Sequence, residues 1–390
     1  MNPIRLGEST LLGQRLQQLD GLRGVAAISV VAFHILSAFS PELVAEQEQN
    51  TAWIAYTPLS VFWNGTFAVS IFFVLSGFVV THATLRKSDP LWIDAGIRYL
   101  RLAIPATVSA LIGWLLLSLY PTSATEASSL SMSPWLRWTY QDVIPGPISA
   151  VYDGLLDIFL SGGSFFNNAL WTMRPELLGS FACFAVCLFK TAHVRLCFTF
   201  VLAIVVIIAG KYEYECFVLG IVLREAWASG RLPTVFPISA LIVGLILGSQ
   251  SVASMELLGL DWLPTAFTPQ FRGGLLYPIA AVLVVYGCMR SGPIASALSG
   301  RTGKFLGAIS FPLYLIHVPL LCTLVADLYL TLSGRPILFS FALGLFSVLM
   351  IIVAYAIERW LERPFLRLLS GLRSALRAKS GHEAVMRASA

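Results

Sequence analysis

Ten predominantly apolar stretches limit what this chain can fold into: residues 22–39, 61–84, 101–120, 168–189, 195–210, 212–228, 234–250, 273–289, 304–328 and 336–358. About 20 mostly apolar residues carry an α-helix across a bilayer. Helices satisfy their own backbone in hydrocarbon, so stretches of this kind predict spanning helices. Of 390 residues, 57% are hydrophobic and only 12% charged, against about 25% charged in a soluble domain. So few ionised groups cannot cover a water-exposed surface of this size. The expected fold class is therefore all-α, a polytopic transmembrane bundle of about ten spans. The sixth stretch is the weakest, because Glu213, Glu215, Arg224 and Glu225 shorten its apolar middle. Residues 148–160 are apolar but carry Asp153 and Asp157, which predicts an interfacial or re-entrant segment. The Ser-rich tract 122–133 reads as a polar loop, and no internal repeat is visible.

The placement of cations tests this map independently. With the amino terminus in the cytoplasm and each span reversing direction, every Lys and Arg falls inside except Arg137, Arg174, Lys211, Arg272 and Arg335. Acidic residues lean outward: Glu42, Glu46, Glu48, Glu126, Asp142, Asp153, Asp157, Glu213, Glu215, Glu256, Asp261 and Asp327. Removing one span would invert every later loop, so the pattern predicts an even count with both termini cytoplasmic. The first helix, preceded by Arg5 and Arg15, resembles a signal peptide. Its long apolar stretch and the absence of a small-residue cleavage site predict an uncleaved anchor. The net charge of +5 lies in these loops, and no nucleic-acid partner is expected.

Six cysteines, at 183, 187, 197, 216, 288 and 322, all fall within apolar stretches and form no disulfide framework. Cys183 and Cys187 lie one helical turn apart; buried core thiols are the expectation and a metal pair the alternative. No metal site is expected, and no phosphate-loop or dinucleotide spacing occurs.

Ionisable groups inside a bilayer are costly and usually functional. Leu19-Asp20-Gly21-Leu22-Arg23-Gly24 opens the first span, and His34 follows Arg23 after ten intervening residues. Eleven positions return almost to the same helix face and climb about 16 Å. Arg23 is thus expected at the cytoplasmic mouth and His34 near mid-membrane on one wall. The arginine would grip a phosphate-rich donor, and the neutral imidazole would be a general base near pH 7. The plain alternative is a packing histidine above a snorkelling arginine. Arg98 and Arg101, at i and i+3, offer two guanidinium forks suited to phosphate, or ordinary cytoplasmic decoration. Ser76-Gly77 permits a close helix approach or leaves room for a slender donor arm. Glu176, expected near the outer face, is either a solvated helix-start acid or a group that orients His34 or receives an acceptor's proton. His317 sits mid-span; packing through hydrogen bonds on its Tyr314 side is its alternative. His82 and His193 receive no role.

These residues form blocks that resemble, in order, the acyltransferase-3 family of integral membrane O-acyltransferases. Leu19–Gly24 with His34 is similar to its opening signature and Phe72–Phe78 to its second block. Arg98-Tyr99-Leu100-Arg101 resembles its Arg-x-x-Arg, and Leu170-Trp171-Thr172-Met173 with Glu176 its Trp–Glu block. Ser310–His317 and Glu362-Arg363-Pro364 resemble its late blocks. The blocks cover residues 19–364, the expected transmembrane domain, flanked by a cytoplasmic segment 1–18 and a basic cytoplasmic tail 365–390 lying on anionic lipid. One departure is Gly179-Ser180 where many members carry an aromatic pair; the Glu-x-x-Gly-Ser form resembles a subset of the family. No hydrolase-like domain is expected after the last span.

The resemblance implies an enzyme in a bacterial inner membrane that takes an acyl group, acetyl first, from cytoplasmic acyl-coenzyme A. The acceptor would be a hydroxyl of an extracytoplasmic or lipid-linked carbohydrate. His34 and Glu176 would be catalytic, and Arg23, Arg98, Arg101, Ser76 and Gly77 would bind the donor. Asp20, Trp171, Tyr314 and His317 are further candidates. Membrane lipids are the other expected partners, and no cofactor beyond the cosubstrate is implied. Direct transfer and an acyl-histidine intermediate both fit. A secondary transporter or flippase for a small polar or sugar substrate is the alternative class.

Overall fold

The computed structural model describes residues 16–45, 51–87, 89–140, 143–260, 262–264, 267 and 274–388, with side chains described to residue 380. Arg5, Arg15, Glu46, Glu48, Asp142, Asp261 and Arg272 lie outside the described residues, as does most of the segment 1–18. Among the described residues every regular element is helical. In chain order the main helices are α1 (Gln17–Phe39), α2 (Gly65–Leu85), α3 (Leu91–Leu119), α4 (Ser123–Ser131), α5 (Pro134–Thr139), α6 (Pro147–Tyr152), α7 (Met173–Cys187) and α8 (Ala192–Ile208). There follow α9 (Glu215–Ala228), α10 (Pro237–Gly248), α11 (Leu276–Arg290), α12 (Gly292–Ser299), α13 (Arg301–Leu320), α14 (Pro336–Ile357) and α15 (Arg363–Ala388).

Among the described residues, five continuous helices are long and apolar enough to cross a membrane: Gln17–Phe39, Gly65–Leu85, Leu91–Leu119, Arg301–Thr331 and Pro336–Ser380. A sixth arises if α11 and α12, bent by 88° at Ser291, are one broken span. All ten expected stretches are helical, but five are short: α7 and α11 have 15 residues each, α8 17, α9 14 and α10 12. At about 1.5 Å per residue, α10 covers only about 18 Å. The fourth stretch is shortened because Asn168–Thr172 forms a 3-10 turn before α7 begins. The Ser-rich tract, expected as a loop, is instead helical. In α4 the hydroxyls of Ser128 and Ser129 donate back to the Thr125 carbonyl at 2.6 and 3.3 Å, so they are satisfied inside the helix.

The chain divides into two compact units. The first comprises Met1–His82, Ser131–Trp135 and Ala185–Ser310. Its helices approach closely through small residues. A methyl group on Gly24 would stand 2.4 Å from the Leu306 carbonyl carbon, and one on Gly77 2.3 Å from the Phe217 carbonyl oxygen.

The second unit comprises Ala83–Leu130, Leu136–Phe184 and Phe311–Ala390. Here the ambiguous segment 148–160 runs antiparallel to α3. Gly154 lies against Thr107, where a Cβ would be 2.3 Å from the threonine Cα. The Tyr99 hydroxyl donates to the Leu155 carbonyl at 2.6 Å, and the rings of Tyr99 and Phe159 are 5.4 Å apart. By Phe166 the chain has returned to Gly113. The segment thus folds along α3 and back as a hairpin, and its turns include the π-helix Asp153–Asp157. At the other end, α15 docks on the start of α3: Leu369 packs with Ile93 and Ile97, and Arg373 meets Asp94 at 2.7 Å and Asp89 at 3.3 Å. Part of the tail, expected to lie on anionic lipid, is thereby also engaged by protein. Lys87 beside it is held below the usual amine range, chiefly by burial and next by the Arg373 charge.

Candidate functional site

In the first unit, α1 sets Arg23 and His34 eleven positions apart, as expected, both half-buried. The His34 Nδ1–H donates to the Val30 carbonyl, one turn back, at 3.0 Å. That bond puts the lone pair of the neutral ring on Nε2, the nitrogen able to take a proton. The imidazole centroid lies 5.0 Å from the ring of Phe33 and 5.0 Å from that of Trp135. Trp135, on α5, is buried. The Ser133 hydroxyl donates to the Ser37 carbonyl at 2.5 Å and fastens this segment to the end of α1. The opening glycines of α1 make its contact with α12 and α13. Gly21 faces Leu298, Gly24 faces Leu306, and the Asp20 carbonyl abuts Gly307.

In the second unit, Arg98 and Glu176 form an ion pair, with side chains 15% and 16% exposed. Arg98 Nε also donates to the Ser180 hydroxyl at 2.9 Å, and that hydroxyl donates to the Glu176 carbonyl at 2.6 Å. This corrects one expectation. Arg98 was expected at the cytoplasmic mouth and Glu176 near the outer face, but a direct ion pair puts both at one depth. Counted along α3, Arg98 is seven residues from Leu91, about 10 Å into the helix. Through this pair the Arg98 guanidinium meets a protein carboxylate by Nη2 and the Ser180 hydroxyl by Nε.

The Trp–Glu block and the late block meet in this unit. Pro319 has no N–H to give to the carbonyl of Leu315, four residues back. That carbonyl instead accepts from Ser109 Oγ at 2.6 Å and Asn167 Nδ2 at 2.8 Å. Asn167 also caps the 3-10 turn, its Oδ1 accepting from the Ala169 N–H at 3.0 Å. The Tyr314 hydroxyl lies 2.7 Å from Thr172 Oγ1 and donates to the Ala169 carbonyl. A proline on α13 thus helps fix the turn that leads into Glu176. His317 is fully buried, with Nδ1 at 2.8 Å from the Tyr314 carbonyl and 3.1 Å from that of Leu313.

Of the remaining candidates, Trp171 is half-buried, Arg101 is exposed on α3, and Ser76 is buried. The space beside Gly77 is filled by the Phe217 backbone, so this glycine permits a close helix crossing. Sequence reasoning missed Trp135, Asn167 and the part played by Ser180. Ser180 had a usable signal, since its i+4 spacing from Glu176 puts both on one face of α7.

A protein family described as an acyltransferase domain matches residues 16–359. Among curated proteins, a stretch of 75 residues is 40% identical to acyltransferase MdmB of Streptomyces mycarofaciens. The matched stretch is 19% of this chain and spans 17% of that relative. No solved structure matches.

Proposed function

Because the chain belongs to this acyltransferase domain family over residues 16–359, we propose that it transfers an acetyl or related acyl group across the membrane. The donor is cytoplasmic acyl-coenzyme A and the acceptor a hydroxyl of an extracytoplasmic or lipid-linked carbohydrate. The observation that carries this reading is the His34 ring, whose Nδ1–H bond to Val30 leaves Nε2 as the basic nitrogen on a membrane-length helix. In the transfer, the acceptor oxygen attacks the thioester carbonyl and its proton passes to His34 Nε2. The carbon–sulfur bond then breaks, and the departing thiolate takes that proton. Glu176, oriented by Arg98 and Ser180, supplies a fixed negative charge. Its role is to position and polarise, and Arg23 and Arg101 supply positive charge for the donor.

We assign the chain to a bacterial inner membrane, with ten passes and both termini cytoplasmic. The cation distribution and the helical state of all ten stretches support that topology. The decisive experiment uses purified protein in lipid nanodiscs with radiolabelled acetyl-coenzyme A and envelope glycans. Label should appear on a sugar hydroxyl with the wild type and vanish with His34→Ala. Unchanged labelling in that variant refutes the assignment, and label trapped on His34 itself replaces the base role with a covalent one.

A further inference from the structure

In the first unit, three helix ends build a second charged constellation that acyl transfer at His34 does not use. Glu225, on the last turns of α9, accepts from Arg195 Nε and Nη2 at 2.9 Å each and from Arg224 Nη1 at 2.7 Å. The three residues are 4%, 8% and 5% exposed respectively. Arg195 Nη1 donates onward to the carbonyls of Phe189 and Lys190 at 3.1 and 2.8 Å, closing the turn before α8. One carboxylate thus faces two guanidiniums, and a buried positive charge remains in surplus. Among the described residues, Nε of Arg224 has no hydrogen-bond partner. A buried charge of this kind is costly for the protein alone, and a bound anion relieves the cost.

An aromatic surface adjoins it. Trp227 follows Arg224 by three residues on α9, and its ring lies 5.4 Å from that of His82 and 5.7 Å from that of Phe78. Trp227 and His82 are only half-buried. Lys190 and Arg231, whose backbones close the two turns at this corner, are exposed cations. Positive charge beside an accessible indole fits an anionic ligand carrying a planar heterocycle. A lipid headgroup would use the cations but not the ring.

We infer that this corner binds the nucleotide portion of the acyl donor, with its phosphates at Arg224, Lys190 and Arg231 and its base stacked on Trp227. The inference rests on the proposed function and deepens it.

The test uses the full chain in nanodiscs and adenosine 3′,5′-bisphosphate as the probe, which carries base and phosphates without the thioester. Binding is followed by tryptophan fluorescence and by isothermal titration. Trp227→Leu and the pair Lys190→Ala/Arg231→Ala are each expected to weaken the probe at least about tenfold. They should raise the donor KM by a similar factor, with kcat within about twofold. Arg224→Gln, at a buried position, is read only where its melting curve matches the wild type. Wild-type affinity in both surface variants overturns the inference. So does a response that anionic phosphatidylglycerol alone abolishes, which assigns the corner to lipid. Probe binding that depends on Trp227, with no acyl transfer from any thioester, upholds the site and breaks the proposed function instead.

Discussion

The helices bearing the two expected catalytic groups, α1 and α7, hold their side chains by opposite means. α1 is 23 residues long, packs through glycines, and orients His34 with a carbonyl of its own preceding turn. α7 has 15 residues, is entered through a 3-10 turn, and holds Glu176 with Arg98, 78 positions away in sequence. One arrangement is local and steric; the other is long-range and polar. A local arrangement keeps its geometry when a neighbour changes, whereas a polar network loses it when any one member goes. Substitutions on α1 should therefore separate activity from stability, and those around α7 should not.

The largest expected effect follows from that contrast. His34→Ala should lower acyl transfer by about 10²- to 10⁴-fold, the usual contribution of a general base. Its melting temperature should stay close to wild type, because the lost hydrogen bond is made to the same helix. A large fall in thermal stability would place His34 with α7 in kind. Next comes the Arg98–Glu176 pair. Breaking a mostly buried ion pair leaves one charge alone, at a cost of about 3–5 kcal/mol. Arg98→Ala and Glu176→Ala should each lower both activity and stability by chemical denaturation, and the double variant should recover part of the stability. Additive losses in the cycle would show that the two groups act independently.

Asn167→Ala is expected to cost about 1–3 kcal/mol, because the Leu315 carbonyl freed by Pro319 loses one of its two donors. In the same range, Gly24→Ala on α1 places a methyl against Leu306 and should cost about 1–3 kcal/mol. The two differ in outcome. Asn167→Ala should shift the 3-10 turn and raise the acceptor KM, whereas Gly24→Ala should destabilise with kinetic constants unchanged in the folded fraction. Equal kinetic effects would erase the distinction between the two regions.

The same difference explains how much was legible in the sequence. Apolar runs form helices in lipid without needing a partner, so the helical state of all ten stretches could be read directly. Helix length was less legible: α7 starts late because Asn167 caps a 3-10 turn through contacts with residues 109 and 315. The Ser-rich tract misled because serine favours loops until its hydroxyls find carbonyls one turn back. The Arg98–Glu176 pair was invisible to loop bookkeeping, which sorts charges by side of the membrane and carries no information on partners far away in sequence. The hairpin of residues 148–160 lay between: Asp153 and Asp157 flagged the segment, and its packing along α3 shows in Gly154 against Thr107.

The smallest expected effect concerns α15, read from its basic composition as a lipid-facing tail. Arg373 is 20% exposed and bridges Asp94 and Asp89, while Arg377, 61% exposed, reaches Asp89 at 3.3 Å. Such partly solvated pairs contribute about 0.2–1 kcal/mol and weaken with salt. Arg373→Ala should therefore lower the melting temperature by only a degree or two at low salt, and less at high salt. The loss should be the same in neutral detergent and in anionic nanodiscs, because the partners are carboxylates of the loop before α3 and its first turn. A loss seen only with anionic lipid would return the helix to the membrane surface. A loss that also reduced acyl transfer would mean that docking of α15 on α3 reaches Arg98, and the polar network of α7 would then extend to the end of the chain.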